Sequence, residues 1–320
     1  MNSVLKLLNM NVRNILINHL KFFDNKIYEI RLRINNPVFV KSVYGDYFLN
    51  IKDMSKNYND DYYKIRKKDV DETVTSLTLN SIHAFEKEIK NGYITIEGGH
   101  RVGIGGDCIY DGDNFKGFKN ITSLNIRIAK EFKDCSLKYL KDIIGLNQKV
   151  YNTLIIGPPM SGKTTLIRDI SAHISDGMDK LNFKGSDVTV IDERGEISAV
   201  YNGVPQMYLG RRTDILAYCM KKEGFFMSIR SLSPGVIICD ELGSKEDFEI
   251  IQYALKSGVY VIATAHGYDL NDVRKNIYLK NMIESNFFER AIILKSSKTP
   301  SLVKEIIDIP RNKVICDDAS

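Results

Sequence analysis

The residues of this chain best suited to chemistry form one stretch, residues 153–165, with the sequence TLIIGPPMSGKTT. Residues 157–164 match G-x-x-x-x-G-K-[ST] at every fixed position, a pattern typical of loops that bind the phosphates of a nucleotide. Apolar residues before the pattern predict a buried strand and the residues after it predict a helix, so backbone N–H groups and the positive end of that helix surround one anion site. The residues predicted to bind the phosphates are Gly157, Pro158, Pro159, Met160, Ser161, Gly162, Lys163, Thr164 and Thr165.

Two side chains of this stretch carry the specific chemistry. Lys163 is expected to reach the β- and γ-phosphates, and the Thr164 hydroxyl is expected to bind Mg²⁺. ATP and Mg²⁺ are therefore the predicted cofactors. The alternative, an ordinary glycine-rich turn with a chance lysine, does not explain why both the spacing and the flanking strand and helix patterns agree.

Two further buried strands end in carboxylates. The run GVIICDE ends in Asp240 and Glu241, and after a strand of this kind an aspartate holds Mg²⁺ while a following glutamate deprotonates the attacking water. The run DVTVIDERGE brings Asp192, Glu193 and Glu196 to the same predicted carboxyl edge of the sheet. Glu241 is our first choice as the general base and Glu193 our second. The alternative is that either strand merely happens to end in acidic loop residues.

Histidine and arginine residues complete the candidate site. His266 ends a third buried strand, VYVIATAHG, where its ring could donate to a γ-phosphate oxygen or to the attacking water, although a lone histidine is usually structural. Phosphoryl transfer also calls for a cation near the developing negative charge, which arginine commonly supplies. Taken singly, each arginine is better explained as a surface or ion-pair residue. The arginines considered are Arg101, Arg127, Arg194, Arg211, Arg212 and Arg230.

An α/β framework is needed to hold these residues together. Short apolar runs that alternate with helical segments predict a mostly parallel sheet covered on both faces over residues 147–308. Residues 1–146 predict a smaller α+β N-terminal domain, and residues 309–320 a flexible tail. In the first domain we expect a hairpin around Pro37, a helix over residues 69–91, and an amphipathic helix over residues 3–20 that packs on its own domain or on a partner. The segment GGHRVGIGG predicts a bulged hairpin rather than a second nucleotide loop.

Composition narrows the class of protein. The 45 basic and 40 acidic residues are interspersed, so a mixed solvated surface explains them better than a nucleic-acid footprint does. The five cysteines show no C-x-x-C spacing, which argues against a disulfide framework or a zinc site and favours a reducing compartment. Residues 1–20 lack the apolar core of a signal peptide, and no run approaches the roughly 18 apolar residues of a membrane span. We expect a cytoplasmic protein without a membrane span.

The four sequence boxes, in this order, resemble the secretion ATPase superfamily of RecA-like motors, which drive type II and type IV secretion and pilus assembly. After the glycine-rich box, the acidic box is VTVIDERGEI, the Walker B strand is VIICDE and the His box is ATAHG. A more specific resemblance, to the stage III sporulation ATPase family of endospore-forming Firmicutes, covers nearly the whole chain. It is carried by EIRLRINNP, GGHRVGIGG, ITSLNIRIAKE, GVPQMYLGRRTDIL and SIRSLSPGVIICDELG.

This resemblance implies a RecA-like P-loop core, Mg²⁺-dependent ATP hydrolysis and a homo-hexamer. Arg101 and Arg127 match positions at which secretion ATPases direct arginines from the N-terminal domain toward nucleotide. Arg212 also matches a family position, whereas Arg211 replaces the acidic or neutral residue that the family usually has. Only Arg212 of that pair is therefore carried over as a site residue.

The resemblance also implies a cellular location and protein partners. The protein is expected in the mother-cell cytoplasm, held peripherally at the forespore outer membrane by membrane proteins of the stage III sporulation channel complex. The main alternative is a RecA-like nucleic-acid-dependent ATPase, against which the dispersed charge and the absence of an evident DNA-binding loop stand. A small-molecule kinase is a third option, disfavoured because no lid or acceptor-pocket signature is evident.

Overall fold

Two compact units make up the chain. The computed structural model describes residues 1–24, 26–79, 85, 88–89, 92–295 and 301–317. The first unit contains Met1–Lys130 together with Ala199–Gln206, and the second contains Glu131–Ser198 and Met207–Ser320. Residues 131–146, which we assigned to the N-terminal domain, therefore group with the second unit.

The first unit is built on a seven-stranded sheet in which every neighbouring pair is antiparallel, in the order β4-β3-β2-β1-β7-β6-β5. Its strands are β1 Ile27–Arg33, β2 Val38–Ser42, β3 Gly45–Leu49, β4 Met54–Ser55, β5 Tyr93–Ile96, β6 His100–Asp111 and β7 Asn114–Arg127. Its helices are α1 Asn2–Leu7, α2 Met10–Phe23 and α3 Lys67–Leu77. The predicted hairpin around Pro37 is present as β1 and β2. The predicted helix over residues 69–91 begins as α3 but is not continuous, because α3 ends at Leu77 and Leu79 has a positive φ of 50°. Much of the second half of that prediction, including Ser81, Lys87 and Lys90, lies outside the described residues.

The predicted amphipathic N-terminal segment packs on its own unit. It forms α1 and α2, and its apolar side chains enter the core that also holds Ile30 and Leu32 of β1. The side chains buried by these two helices are Val4, Leu5, Leu8, Val12, Ile15 and Leu16. Of the two alternatives left open by the sequence, the structure therefore favours packing within the unit over an apolar face reserved for a partner.

The glycine segment before and within β6 is a bulged hairpin, as predicted. Gly98 and Gly99 have positive φ angles of 87° and 73° in the turn between β5 and β6. The register between β6 and β7 shifts around Gly106, where a Cβ atom would lie 1.9 Å from the carbonyl oxygen of Asn120. Only glycine allows the two backbones to approach so closely. No helix follows this turn, so the segment lacks the context of a phosphate-binding loop.

The second unit contains an eight-stranded sheet in the order β10-β9-β11-β12-β8-β13-β14-β15. The first six strands in that order run parallel, and β14 and β15 join antiparallel. The strands are β8 Thr153–Gly157, β9 Val188–Asp192, β10 Thr213–Ala217, β11 Val236–Cys239, β12 Tyr260–His266, β13 Arg290–Leu294, β14 Val303–Asp308 and β15 Lys313–Asp317. The helices are α4 Leu140–Ile143, α5 Lys163–Asp176, α6 Lys221–Met227, α7 Lys245–Lys256, α8 Leu270–Val273 and α9 Ile277–Glu284, with 3₁₀ turns at Leu137–Tyr139 and Asp179–Leu181 and a π-helical turn at Ser228–Leu232.

Both faces of this sheet are covered, which explains the continuous apolar runs of its central strands. Every residue of β8, β9 and β11 is buried. Leu154 and Ile156 of β8 join the core on one face, whereas Ile155 between them joins the core on the other. Alternate side chains of a strand point to opposite faces, so both faces of these strands require apolar residues. The mostly parallel α/β sheet predicted for this region is present.

Part of the predicted flexible tail, residues 309–320, is a strand. Lys313–Asp317 forms β15, which pairs with β14 from Glu305↔Asp317 to Asp308↔Lys313. The alternation of exposed and half-buried residues in this edge strand resembles that of a polar loop, so the sequence pattern did not reveal it. Residues 318–320 lie outside the described part of the chain.

Candidate functional site

The carboxyl ends of four neighbouring parallel strands carry the predicted boxes. In register, Cys239 of β11 pairs with Ile191 of β9 and with Ala263 of β12. His266, the last residue of β12, pairs with Gly157, the last residue of β8. The acids that follow β9 and β11, the histidine of β12 and the glycine-rich loop (residues 157–164) therefore meet at one edge of the sheet, the edge where open α/β sheets bind ligands.

The glycine-rich loop is shaped by backbone geometry that few residues tolerate. Gly162 has a φ of 91° directly before α5, and Met160, whose φ is 63°, is 96% exposed. A Cβ atom on Gly157 would lie 2.4 Å from Ser161 Oγ and 3.1 Å from Leu294 Cβ. The loop therefore keeps its backbone close around a concave turn whose N–H groups and helix N-terminus favour an anion.

Lys163 lies folded over this loop. Its Nζ donates to the carbonyl oxygen of Gly157 at 2.7 Å and to that of Pro158 at 3.0 Å. Burial lowers the pKa of Lys163, and the negative charge of Glu241 opposes that shift. The ammonium group is thus held against the backbone of the loop, and the negative charge of Glu241 stabilises its protonated form.

Ser301, which sequence reasoning missed, braces the loop from outside. Its backbone N–H donates to the carbonyl oxygen of Ser161 at 2.8 Å, and its Oγ donates to that of Gly162 at 3.0 Å. The Oγ of Ser161 itself is buried and makes no hydrogen bond with any residue that the structure describes. The two serines are 140 positions apart in sequence, and no local pattern signals such a contact.

Asp192, the first carboxylate of the acidic box, has a structural role. It is fully buried and accepts hydrogen bonds from Glu196 N and Ser198 N, each at 2.8 Å, and from Ser198 Oγ at 2.5 Å. Arg168 of α5 donates to the carbonyl oxygens of Ile197 at 2.7 Å and Glu196 at 3.0 Å. The turn after β9 is therefore tied to the helix that follows the glycine-rich loop, by an arginine that sequence reasoning did not single out.

Glu193 is held by Lys221, a second residue that sequence reasoning missed. The backbone N–H of Lys221 donates to Glu193 Oε1 at 3.2 Å, and its Nζ lies 3.5 Å from Glu193 Oε2. The only sequence signal was a lysine pair at the start of a short helix, a pattern typical of solvated surfaces. The Glu193 carboxylate therefore already forms an ion pair with Lys221.

Asp240 and Glu241 differ in environment although they are adjacent. Burial, together with the negative charges of Asp192 and Glu193, raises the pKa of Asp240 to about 6, although the positive charge of Lys221 opposes this shift. The Glu241 side chain is 51% exposed and lies 3.8 Å from Arg194 Nη1. The two carboxylates therefore suit different tasks, one at a confined position and one that water reaches.

These acids open onto a cleft with a volume of about 620 Å³. The glycine-rich loop, described in full by the structure, does not line this cleft. His266 connects the two features, because it lines the cleft and pairs with Gly157. The polar residues of the lining include Glu193, Arg194, Asp240, Glu241, His266 and Asn276.

None of the three remaining arginines of the predicted site belongs to the carboxyl edge of the second unit's sheet. Arg212 precedes β10, whose first residue pairs with Val188, the first residue of β9, so Arg212 lies at the amino edge of the sheet. Its Nη1 donates to the carbonyl oxygen of Lys184 at 2.8 Å. Arg101 and Arg127 belong to the first unit, directly opposite each other on β6 and β7. Within one chain, Arg212 is therefore separated from the carboxyl edge by the length of the strands.

The fold that carries this site is similar to the folds of two solved structures. The chain superposes on the ATPase DotB of Legionella pneumophila with a TM-score of 0.58 and 14% identity, covering 93% of this chain and 80% of DotB. A structure of the pilus retraction motor PilT with bound ADP gives a TM-score of 0.53 and 14% identity, covering 87% of this chain and 76% of PilT. The structure is thus an α/β fold similar to these ATPases.

Sequence comparison identifies the family. The family model described as "Sporulation stage III, protein AA" matches residues 1–314, and the chain belongs to that family. It is 39% identical over 286 residues to stage III sporulation protein AA of Bacillus subtilis, covering 88% of this chain and 87% of the relative. Among the helices of the described ranges, none has both the length and the apolar character to cross a bilayer.

Proposed function

We propose that this protein is a Mg²⁺-dependent ATPase with a RecA-like P-loop core that energises a channel complex between mother cell and forespore during endospore formation. The observation that carries the proposal is the register of the sheet, which brings the glycine-rich loop, the two acids after β11 and His266 to one edge. A phosphate site beside a confined aspartate and a water-accessible glutamate has the parts that nucleotide hydrolysis requires.

The residues present fit ATP and Mg²⁺. The concave loop leaves no space for a Cβ on Gly157, and its lysine and the start of α5 supply positive charge for phosphates. The nine residues 157–165 would hold the phosphates, and Thr164 and Asp240 would hold Mg²⁺. When bound, the metal would neutralise charge on the phosphates. Lys163 would exchange its two loop carbonyls for phosphate oxygens.

Glu241 is the better candidate for the general base. Glu193 is occupied by the backbone and side chain of Lys221, and freeing it would cost that ion pair. Glu241 is half-exposed and has only a long contact to Arg194. A base must reach a water molecule next to the phosphate, and an exposed carboxylate can do so without breaking a buried pair. His266, in register with Gly157, would orient the same water or a phosphate oxygen.

A ring would give a role to Arg212, at the amino edge of the sheet, and to the two arginines of the first unit. In a homo-hexamer, Arg101, Arg127 and Arg212 would act on the nucleotide of a neighbouring subunit, and hydrolysis in one subunit would bias the next. The partners we propose are membrane proteins of the stage III sporulation channel complex, which would hold the protein at the forespore outer membrane from the mother-cell cytoplasm.

Two substitutions test the chemistry. Lys163→Ala should abolish both ATP binding and turnover, because it removes the cation of the loop, whereas Glu241→Gln should keep ATP bound and lower kcat at least about 100-fold. Binding would be measured with a fluorescent ATP analogue and turnover by phosphate release, with and without single-stranded DNA. The matched controls are the exposed residues Lys180→Ala and Glu284→Gln. Near-normal turnover in Glu241→Gln would refute the assignment of the base, and activity that requires DNA would favour the nucleic-acid-dependent alternative.

A further inference from the structure

We propose that Lys221 is a positioning residue of the hydrolysis site, an internal cation that holds the chain around Asp240 and Glu241 and the side chain of Glu193 in one arrangement. The inference rests on the proposed ATPase function and adds to it a residue outside the four sequence boxes. It follows from the contacts of one largely buried ammonium group.

Lys221 contacts three different elements of the second unit. Its side chain is 13% exposed, and its Nζ donates to the carbonyl oxygen of Glu241 at 2.6 Å. The same Nζ lies 3.5 Å from Glu193 Oε2 and 3.4 Å from Asp247 Oδ1. One residue at the start of α6 therefore links the turn after β9, the turn after β11 and the first turn of α7.

The turn after β11 is fixed from its other side by Asp247. The Oδ2 of Asp247 accepts hydrogen bonds from the backbone N–H groups of Gly243 and Ser244, each at 2.8 Å. Its Oδ1 faces Lys221. Lys221 holds the carbonyl of Glu241, and Asp247 holds the N–H groups two and three residues further on, so the backbone that carries the proposed base is held at both ends of this turn.

Lys221 also balances the negative charge of the carboxylates around it. Glu193, Asp240 and Asp247 all lie around its ammonium group, and without a cation three carboxylates at this edge would repel one another. Burial lowers the pKa of Lys221, but the surrounding negative charge raises it overall, so the side chain stays protonated. A neutral side chain of similar size would leave Glu193 partly buried without its partner and free to turn toward the proposed metal site.

None of the contacts described for Lys221 is to the glycine-rich loop. Its loss should therefore disturb the geometry of hydrolysis and not the binding of nucleotide. A residue needed only for folding would not separate these two quantities. The neighbouring Lys222 offers a matched control, because its side chain is 46% exposed and pairs with Glu246 at 3.7 Å.

The test compares wild type, Lys221→Met, Lys222→Met, Glu193→Gln and the double variant K221M/E193Q of the full chain. Steady-state hydrolysis of Mg-ATP gives kcat and KM, and a fluorescent ATP analogue gives Kd. Lys221→Met should lower kcat at least about 10-fold with KM and Kd changed by less than about 3-fold, and Lys222→Met should match wild type. The double variant should recover at least about 3-fold of the lost kcat, because it removes the unbalanced carboxylate together with the cation.

Each alternative outcome decides the question. A kcat for Lys221→Met within about 2-fold of wild type, a parallel loss of nucleotide affinity, or a double variant no better than Lys221→Met would each overturn the inference. If Lys221→Met does not fold, the double variant still tests the inference, because it removes one of the two carboxylates that pair with Lys221 together with the cation. Its kcat must then exceed that of Glu241→Gln. A wild-type protein without ATPase activity would instead refute the proposed function itself.

Discussion

Asp240, the carboxylate proposed to hold Mg²⁺, acts against the stability of its own fold. It follows a fully buried strand, and burial together with neighbouring acids raises its pKa to about 6. The charged form that a metal ligand needs is therefore the form that the folded protein tolerates least. Binding of a cation would offset this cost, which is a common reason why sites of this kind are conserved at the expense of stability.

Removing that carboxylate should stabilise the protein in the absence of Mg²⁺ and nucleotide. The pKa of Asp240 is higher in the folded than in the unfolded chain, so its unfavourable contribution grows as pH rises through about 6. Asp240→Asn should raise the free energy of unfolding by about 1–3 kcal/mol at pH 7.5, and this gain should shrink between about pH 6 and pH 4. Denaturant titrations at several pH values measure it. The exposed Asp214→Asn is the control, and a gain that is the same at every pH would contradict the prediction.

At the scale of elements, α5 connects the glycine-rich loop to the acidic box. Its first residue is Lys163, and one turn later its Arg168 holds the carbonyls of the turn that Asp192 organises. Arg168 is buried, and burial lowers its pKa while the charge of Asp192 opposes that shift. The acidic box is therefore positioned by a helix, and the position of Glu193 depends on contacts that begin in the glycine-rich loop.

Removing the Arg168 guanidinium group should lower the free energy of unfolding. Arg168→Met removes the hydrogen bonds to the carbonyl oxygens of Ile197 and Glu196 and the cation near Asp192, so we expect a loss of about 2–4 kcal/mol in the free energy of unfolding. Equilibrium denaturation measures the loss, with Arg311→Met, whose side chain is 81% exposed, as the matched control. A loss below about 0.5 kcal/mol would mean that water or rearrangement replaces the guanidinium group.

The sequence predicted the elements that bury continuous apolar runs and missed those that do not. The strands β8, β9, β11 and β12 were all expected from such runs. In contrast, β10 and β15 contain mostly half-buried or exposed residues, so their patterns resembled loops. The glycine-rich loop and both acids after β11 were predictable because their chemistry requires residue types at fixed spacing. The contacts of Ser301, Arg168 and Lys221 were not, because they join residues far apart in sequence and depend on the folded path of the chain.

At the scale of the whole molecule, the first unit presents paired arginines on its sheet. Arg101 and Arg127 are opposite each other on β6 and β7, and Glu29 of β1 is opposite Arg127. Arg127 is mostly exposed, with its Nε 3.9 Å from Glu29, and Arg101 stacks on Tyr93 at 4.7 Å. If these arginines act on a neighbour in a ring, an arginine defect in one subunit impairs the site of the next.

Mixed assemblies test this coupling. Arg127→Ala subunits mixed with Glu241→Gln subunits should show ATPase activity that departs from the weighted sum of the two, because an intact site then needs residues from two different chains. Activity is measured across mixing ratios under conditions in which size measurements detect a ring. Exposed Arg311→Ala in place of Arg127→Ala is the control. Strict additivity at all ratios would indicate subunits that work independently.

The segment Ala199–Gln206 makes the first unit discontinuous along the chain. Gly98 N–H donates to Gln206 Oε1 at 2.7 Å, a hydrogen bond within that unit between residues on either side of β8 and β9 in sequence. A gene fragment that stops after Lys130 would therefore encode an incomplete unit, and one that starts at Glu131 would carry a loop with nothing of its own unit to pack against. Recombination between relatives can exchange the first unit intact only if both of its segments are exchanged together. We therefore expect the two units to be inherited together and not to be exchanged separately between relatives.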